Sequence, residues 1–288
     1  MVVVCLHDGS VEPLRVLVHV VYGTPHQRYA ARLLWTGTAD TETGRAWLES
    51  ARASLATPAR GMDVSAFGMS SATATAFATP LRRGQRYIAN VQLDTGPAPF
   101  VDIFERDGTR LRYVASAASG ETTVALDVRA DAEYVIRIQP RLEAHGTIVL
   151  SMHTEPTLRV PVDRARARNI QSFFGDARDG GRRDHHGVDI VAPRGTPVLA
   201  ASSGVVASVG TNGLGGNVIW IARPTRGEVH YYAHLDRQAV RAGTFVNQGD
   251  VIGYVGNTGN ARTTALHLHF GIYTAAGAVD PLPYLAEI

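Results

Sequence analysis

The spacing of apolar positions changes twice along the chain. Residues 24–57 carry helical spacing: Tyr29, Leu33 and Leu34 fall on one face, and Trp47, Leu48, Ala51 and Leu55 on a second. Thr24 caps the first helix, Pro25 suits its first turn, and Gln27 completes a capping box. Gly37 ends it, Asp40 caps the next helix and Pro58 follows. The expectation is a small helical hairpin. Upstream, "VLVHVVY" reads as a strand, too short and interrupted to span a bilayer.

From about residue 75 to 153 the period becomes two. "RYIANVQL" alternates Tyr87, Ala89, Val91 and Leu93 with polar or mixed neighbours. "FVDIFERDGTRLRYVA" is two strands about Asp107-Gly108, a hairpin signal. "TTVALDVRADAEYVIRIQ" repeats this with a turn near Asp131, and "GTIVLSMH" adds a strand. Short strands at this spacing predict a β-sandwich of jelly-roll-like type over 61–155, after an N-terminal segment, 1–60, that carries the hairpin. Pro156, Pro161 and the Arg164–Arg168 run mark 156–172 as a solvated linker. Residues 173–288, rich in Gly, Val, Ile and Thr, predict a second β domain. Within it, "GTPVLAASSGVVASVG" and "GTFVNQGDVIGYVG" read as two related hairpin units. The fold class is thus mainly β.

Composition narrows this little. Apolar residues make up 45% and net charge is +2, an ordinary globular balance that does not call for nucleic acid as a partner. All 28 cationic side chains are Arg. The one cysteine, Cys5, excludes an intrachain disulfide and a Cys-rich zinc site. "MVVVCLHDGS" lacks the basic and apolar regions of a signal peptide. Nothing in the pattern specifies an oligomeric state.

The chemistry lies in the histidines, six of eleven falling between residues 185 and 269. Residues two apart on a strand share a face. In "ALHLHFGIY", His267 and His269 face one way, Leu268 and Phe270 the other. In "HHGVDI", His185, Gly187 and Asp189 share a face, and His186 points away. Four strand steps span roughly 13 Å at ~3.3 Å each, too far for one ion held at about 2 Å by both side chains. The segment must bend, and Gly187 makes a bend cheap. In "VHYYAHLDR" the same parity groups His230, Tyr232 and His234. Isolated, "HLH" is more simply a polar edge. With His185 and Asp189 it supplies three N/O ligands without cysteine, the first shell of a catalytic zinc site. His145 and His153 stand alone and read as surface residues.

Four motifs, "HHGVDIVAPRGTPV", "GGNVIWIARPTRGEVHYYAHL", "VNQGDVIGYVGNTG" and "HLHFGIY", resemble in type, order and spacing the lysostaphin-type (LytM-type) zinc endopeptidases, over roughly residues 170–288. The resemblance implies an antiparallel β domain with its site in a groove. It implies one zinc held by His185, Asp189 and His269, and catalytic histidines at His234 and His267. It further implies peptidoglycan peptide as substrate and a cell-envelope, periplasmic or secreted location. His267 is the expected general base, and His234 the group that stabilises the oxyanion or protonates the amine, with exchange of the two open. Arg223 replaces a histidine common in the family, and Ala265-Leu266 replaces a Gly-Pro or Pro. Related proteins with degenerate sites only activate cell-wall amidases; here all five key positions are intact. A zinc protease acting on a non-wall glycine-rich protein is the other alternative. A biotinyl or lipoyl carrier fails for want of any lysine.

Overall fold

The computed structural model describes residues 23–60, 64–69, 73–142, 144–178 and 180–285. The strand expected over residues 16–22, the first ten residues and Cys5 lie outside these. The chain forms two compact units that divide between Glu155 and Pro156. The mainly β architecture expected from the sequence is found, and no helix among the described residues is long and apolar enough to cross a membrane.

In the first unit, helices Pro25–Trp35 (α1) and Glu42–Ala56 (α2) form the hairpin. Thr24 and Gln27 make the full capping box, and Gly37 is left-handed at φ 72°. The cap of α2 is Thr41, not Asp40: its side chain accepts from the Gly44 amide, while Asp40 ends a short 3-10 turn. Trp47 is fully buried and stacks on His26 at 4.8 Å. Its indole N–H donates to the Pro140 carbonyl (2.8 Å), and Gln139 bridges the Trp47 carbonyl and His26 Nε2. The hairpin is therefore tied to the sandwich by polar as well as apolar contacts.

The sandwich has a five-stranded sheet, in the order Ala59–Arg60, Thr75–Leu81, Ala132–Gln139, Phe100–Asp107, Arg110–Ser116. The second sheet is four-stranded: Val64–Met69, Gly146–Pro156, Gln85–Leu93, Thr123–Asp127. Tyr87, Val91, Ile103, Ile136, Ile148 and Leu150 fill the core between them. The strands flanking Asp131 pair with different sheets, so that turn is a crossover and not a hairpin.

In the second unit ten strands form one sheet among the described residues. Its centre runs Ile170–Ser172, Val188–Val191, His267–Thr274, Glu228–Gln238, Gly216–Arg223, Gly204–Asn212, with every neighbour antiparallel. One face packs on a core that includes Val188, Ile190, Ile219, Tyr232, Leu268 and Phe270. Each such side chain, fully buried, contributes about 1.5–3 kcal/mol.

Two expectations need correction here. Residues 156–172 are no free linker: Leu158, Val162 and Ile170 are buried in this core, Val162 bridges to Val198, and the Arg159 amide donates to the Ala201 carbonyl. Apolar residues alternating with the arginines decide this, and the run's charge only keeps side chains such as Arg164 in solvent (92% exposed). The two look-alike glycine-rich segments are not hairpins. They pair with each other, Pro197–Leu199 against Val251–Val255 and Gly204–Val205 against Phe245–Val246. Their alternation marks strands correctly, but glycine turns alone do not say which strand is the partner.

Candidate metal centre

The central strands carry the histidines on the face opposite the core. On His267–Thr274, Leu268 and Phe270 are fully buried beneath the sheet, and His267 and His269 stand on the other side. Val188–Val191 pairs with that strand so that Asp189 lies directly opposite His269. His185 precedes the strand and is separated from it by a bend at Gly187. Gly187 has no left-handed backbone; what it supplies is room. A Cβ there would lie 2.4 Å from the Phe270 carbonyl oxygen and 2.8 Å from His269 Cε1.

These placements bring three donor atoms together. His185 Nε2 lies 3.0 Å from Asp189 Oδ1 and 2.9 Å from His269 Nδ1, and the latter two atoms are 3.0 Å apart. Among the described residues, His185, Asp189 and His269 are the group whose donor atoms converge closely enough for one ion. That spacing lets an ion sit about 2 Å from all three, the Zn–N and Zn–O distance. The donor chemistry also fits, being two imidazoles and a carboxylate. His185 Nδ1 faces the Phe173 carbonyl oxygen at 2.8 Å, so it keeps the proton and leaves the Nε2 lone pair for the metal. Burial resists ionisation of Asp189, but hydrogen bonds and charge from His185 and His269 outweigh it and hold the carboxyl well below its usual range. Desolvation lowers the His269 pKa, which keeps it neutral and available as a ligand. His186 is exposed at the rim of the groove, near-parallel to Phe174 at 6.3 Å, and is not one of the converging donors.

His234 and His267 lie beside this trio, ring centroids 5.0 Å apart. His267 Nδ1 donates to the Ala265 carbonyl (2.7 Å), and its Nε2 is 3.8 Å from Asp189 Oδ1. His234 Nδ1 donates to the Thr258 carbonyl (2.9 Å). Both rings are thereby fixed in the tautomer that presents a bare Nε2. Burial lowers the His234 pKa to about 4, with the positive fields of His267 and His269 adding to the shift.

The parity expected for "VHYYAHLDR" fails. His230 and Tyr232 are fully buried on the core side, whereas Tyr231, Ala233 and His234 line the groove. Between the pairs Ile219–Tyr232 and Asn217–Leu235 the strand holds an extra residue. This β-bulge places His234 at φ 62° and turns its side chain over to the site. Among the described residues His230 has no hydrogen-bond partner for either ring nitrogen, and burial lowers its pKa to about 3. Arg223 pairs with Glu228 (2.8 Å) away from the groove. His145 and His153 are exposed in the first unit.

The groove has a volume of about 590 Å³. Sequence reasoning missed three of its parts. Arg178 lies 3.1 Å from Asp189 Oδ2, Thr258 orients His234, and Tyr231 packs edge-on against His269 at 5.8 Å. Arg178 and Thr258 sit in segments without periodic signal. Tyr231 was hidden by the parity error.

Comparison with known proteins places this geometry. Residues 183–281 match the model of peptidase family M23. The L-Ala–D-Glu endopeptidase of Bacillus subtilis (strain 168) is 39% identical over 155 residues, 50% of this chain and 46% of the relative. The peptidoglycan DD-endopeptidase ShyC of Vibrio cholerae is 40% identical over 117 residues, 39% of this chain and 26% of the relative. The chain thus spans less than half the length of these curated relatives. The solved catalytic domain of lysostaphin from Staphylococcus simulans is 33% identical, with 42% of this chain and 98% of that one covered, at a TM-score of 0.37. Residues 183–281 are thus a domain of peptidase family M23, of the lysostaphin (LytM) type.

Proposed function

We propose that the second unit is a zinc-dependent endopeptidase that hydrolyses peptide cross-links of bacterial cell-wall peptidoglycan, in the cell envelope or outside it. The observation that carries this reading is the convergence of His185 Nε2, Asp189 Oδ1 and His269 Nδ1 beside two histidines with bare Nε2 atoms. His185, Asp189 and His269 would hold one zinc per chain. Bound there, zinc supplies Lewis acidity for a scissile carbonyl and lowers the pKa of water towards ~7.

The chain's own residues manage the protons. Water attacking the carbonyl carbon gives its proton to His267 Nε2, a bare nitrogen 3.8 Å from Asp189 Oδ1. Collapse of the tetrahedral adduct breaks the C–N bond, and the amine nitrogen takes up a proton from an imidazolium. His234 has no Nε2 proton while neutral, because Thr258 claims the one on Nδ1. The proton His267 took from the water therefore goes on to the amine, directly or by way of His234 Nε2, whose low pKa makes it a strong acid once protonated.

Purified peptidoglycan incubated with the protein should release fragments, and a chelator should stop this. Mass spectrometry of the fragments assigns the bond; the two relatives above are named for different ones. A protein that releases nothing alone, but speeds an amidase, would be the activator instead. His185→Ala, Asp189→Ala and His269→Ala should each lose stoichiometric zinc and all hydrolysis. His234→Ala and His267→Ala should keep zinc and lose turnover by about 10²–10⁴-fold. Stoichiometric zinc in the His269→Ala protein would sink the ligand assignment.

A further inference from the structure

We propose that Arg178 is a positioning residue for the metal ligands, fixing which oxygen of Asp189 faces the ion; this rests on the zinc reading above. Asp189 Oδ1 points between the two ligand imidazoles, 3.0 Å from each. Oδ2 points the other way and accepts a hydrogen bond from Arg178 Nη2 at 3.1 Å. A carboxylate free to rotate can exchange its oxygens or offer both. A guanidinium held on the outer oxygen removes that choice.

Arg178 is itself held. It sits in a two-stranded ribbon, Ala177–Arg178 against Arg183–Asp184, that leads directly into His185. The same Nη2 donates to Ser172 Oγ. Ser172 Oγ donates to Asp176 Oδ2 (2.9 Å), which also accepts from the Phe173 amide (2.8 Å). The Phe173 carbonyl in turn receives His185 Nδ1. One short segment, 172–178, therefore grips the outer sides of two of the three ligands. His269 needs no such support, since its place on a central strand fixes it. Arg178 and Asp189 are only partly exposed, at 27% and 18% of their side-chain surface, so the contact is sheltered from bulk water.

Partners of this kind, one bond behind the ligands, typically change metal affinity by 10–100-fold when removed. The test is zinc affinity of the full chain, measured by competition with a chromogenic chelator, with the cobalt(II) absorption spectrum as a second readout. Arg178→Ala should weaken zinc about 10–100-fold without changing the far-UV spectrum of the metal-free protein. Its cobalt form should lose d–d intensity as the freed carboxylate binds through both oxygens. Arg178→Lys should recover part of the affinity, because an ammonium can reach Oδ2 but cannot reproduce the planar guanidinium contact to Asp189 and Ser172 together. If Arg178→Ala does not fold, Arg178→Gln decides: it keeps a donor and loses the charge, and zinc bound as tightly as by the wild type would overturn the proposal. Zinc affinity and cobalt spectrum unchanged in Arg178→Ala would overturn it alone. A wild-type chain that holds no zinc would sink the zinc reading and this inference together.

Discussion

At the scale of single residues, the site is set by which nitrogen of each ring is already occupied. His185, His234 and His267 each spend Nδ1 on a backbone carbonyl, of Phe173, Thr258 and Ala265. No sequence pattern encodes those carbonyls, because any residue type supplies one. The grouping of His185, Asp189 and His269 was legible, since Asp189 and His269 lie on regular paired strands where parity holds. The face and bend arguments together choose His185 over His186, and His186 is an exposed groove residue outside the converging trio. The bend at Gly187 was legible, but the demand for space against Phe270 and His269 was not. Gly187→Ala should therefore cost about 1–3 kcal/mol. It should also weaken zinc binding, because the ring of His269 is one of the groups that must move. Urea unfolding of the metal-free protein gives the first number and chelator competition the second. An Ala variant with wild-type values for both would refute the crowding argument.

Among elements, the bulge at Ala233-His234 is where sequence reading failed and why. Period two holds only while both strands advance together. One extra residue between Tyr232 and Leu235 inverts the face of everything before it relative to His234. A glycine would have signalled the bulge; here a histidine takes the left-handed conformation, which costs it roughly 1–2 kcal/mol. Substitutions separate this strain from the chemistry. His234→Gly and His234→Val should both abolish hydrolysis, but Gly relieves the backbone and Val, β-branched, resists it. The Gly protein should be more stable than the Val protein by about 1–2 kcal/mol, read from denaturation midpoints at equal m-values. Equal stabilities would show that the bulge carries no strain. The α2 cap and the misread hairpins share a cause with this failure. Thr41 and Asp40 are both good caps, and two glycine-flanked strands pair by position in the sheet, which local pattern does not carry.

For the molecule as a whole, each unit holds a buried histidine that burial keeps neutral and that does not line the histidine groove, His26 in the first and His230 in the second. Burial lowers both pKa values to about 3. Below the ordinary value near 6.5 the unfolded chain takes up protons that the folded chain refuses, so stability falls as pH drops from about 6.5 towards 3. Each histidine contributes a loss of at most a few kcal/mol, at about 1.4 kcal/mol per pKa unit. Calorimetry from pH 7 to 4 should show unfolding temperatures falling in both units, with added zinc raising only the transition of the second. His230→Phe should flatten the acid dependence of that transition, and a variant as acid-sensitive as the wild type would refute the role of His230. The mainly β character was legible from the spacing, but the fate of residues 156–172 was not, because a few alternating apolar residues outweigh a conspicuous charge run. One pairing described above also has a meaning in time. His185 and His269 are 84 residues apart and meet only when Val188–Val191 adds to His267–Thr274. At roughly 5–20 residues per second, a growing chain carries the first two of the proposed ligands for several seconds before the ribosome delivers the third. Throughout that interval the nascent enzyme is unarmed.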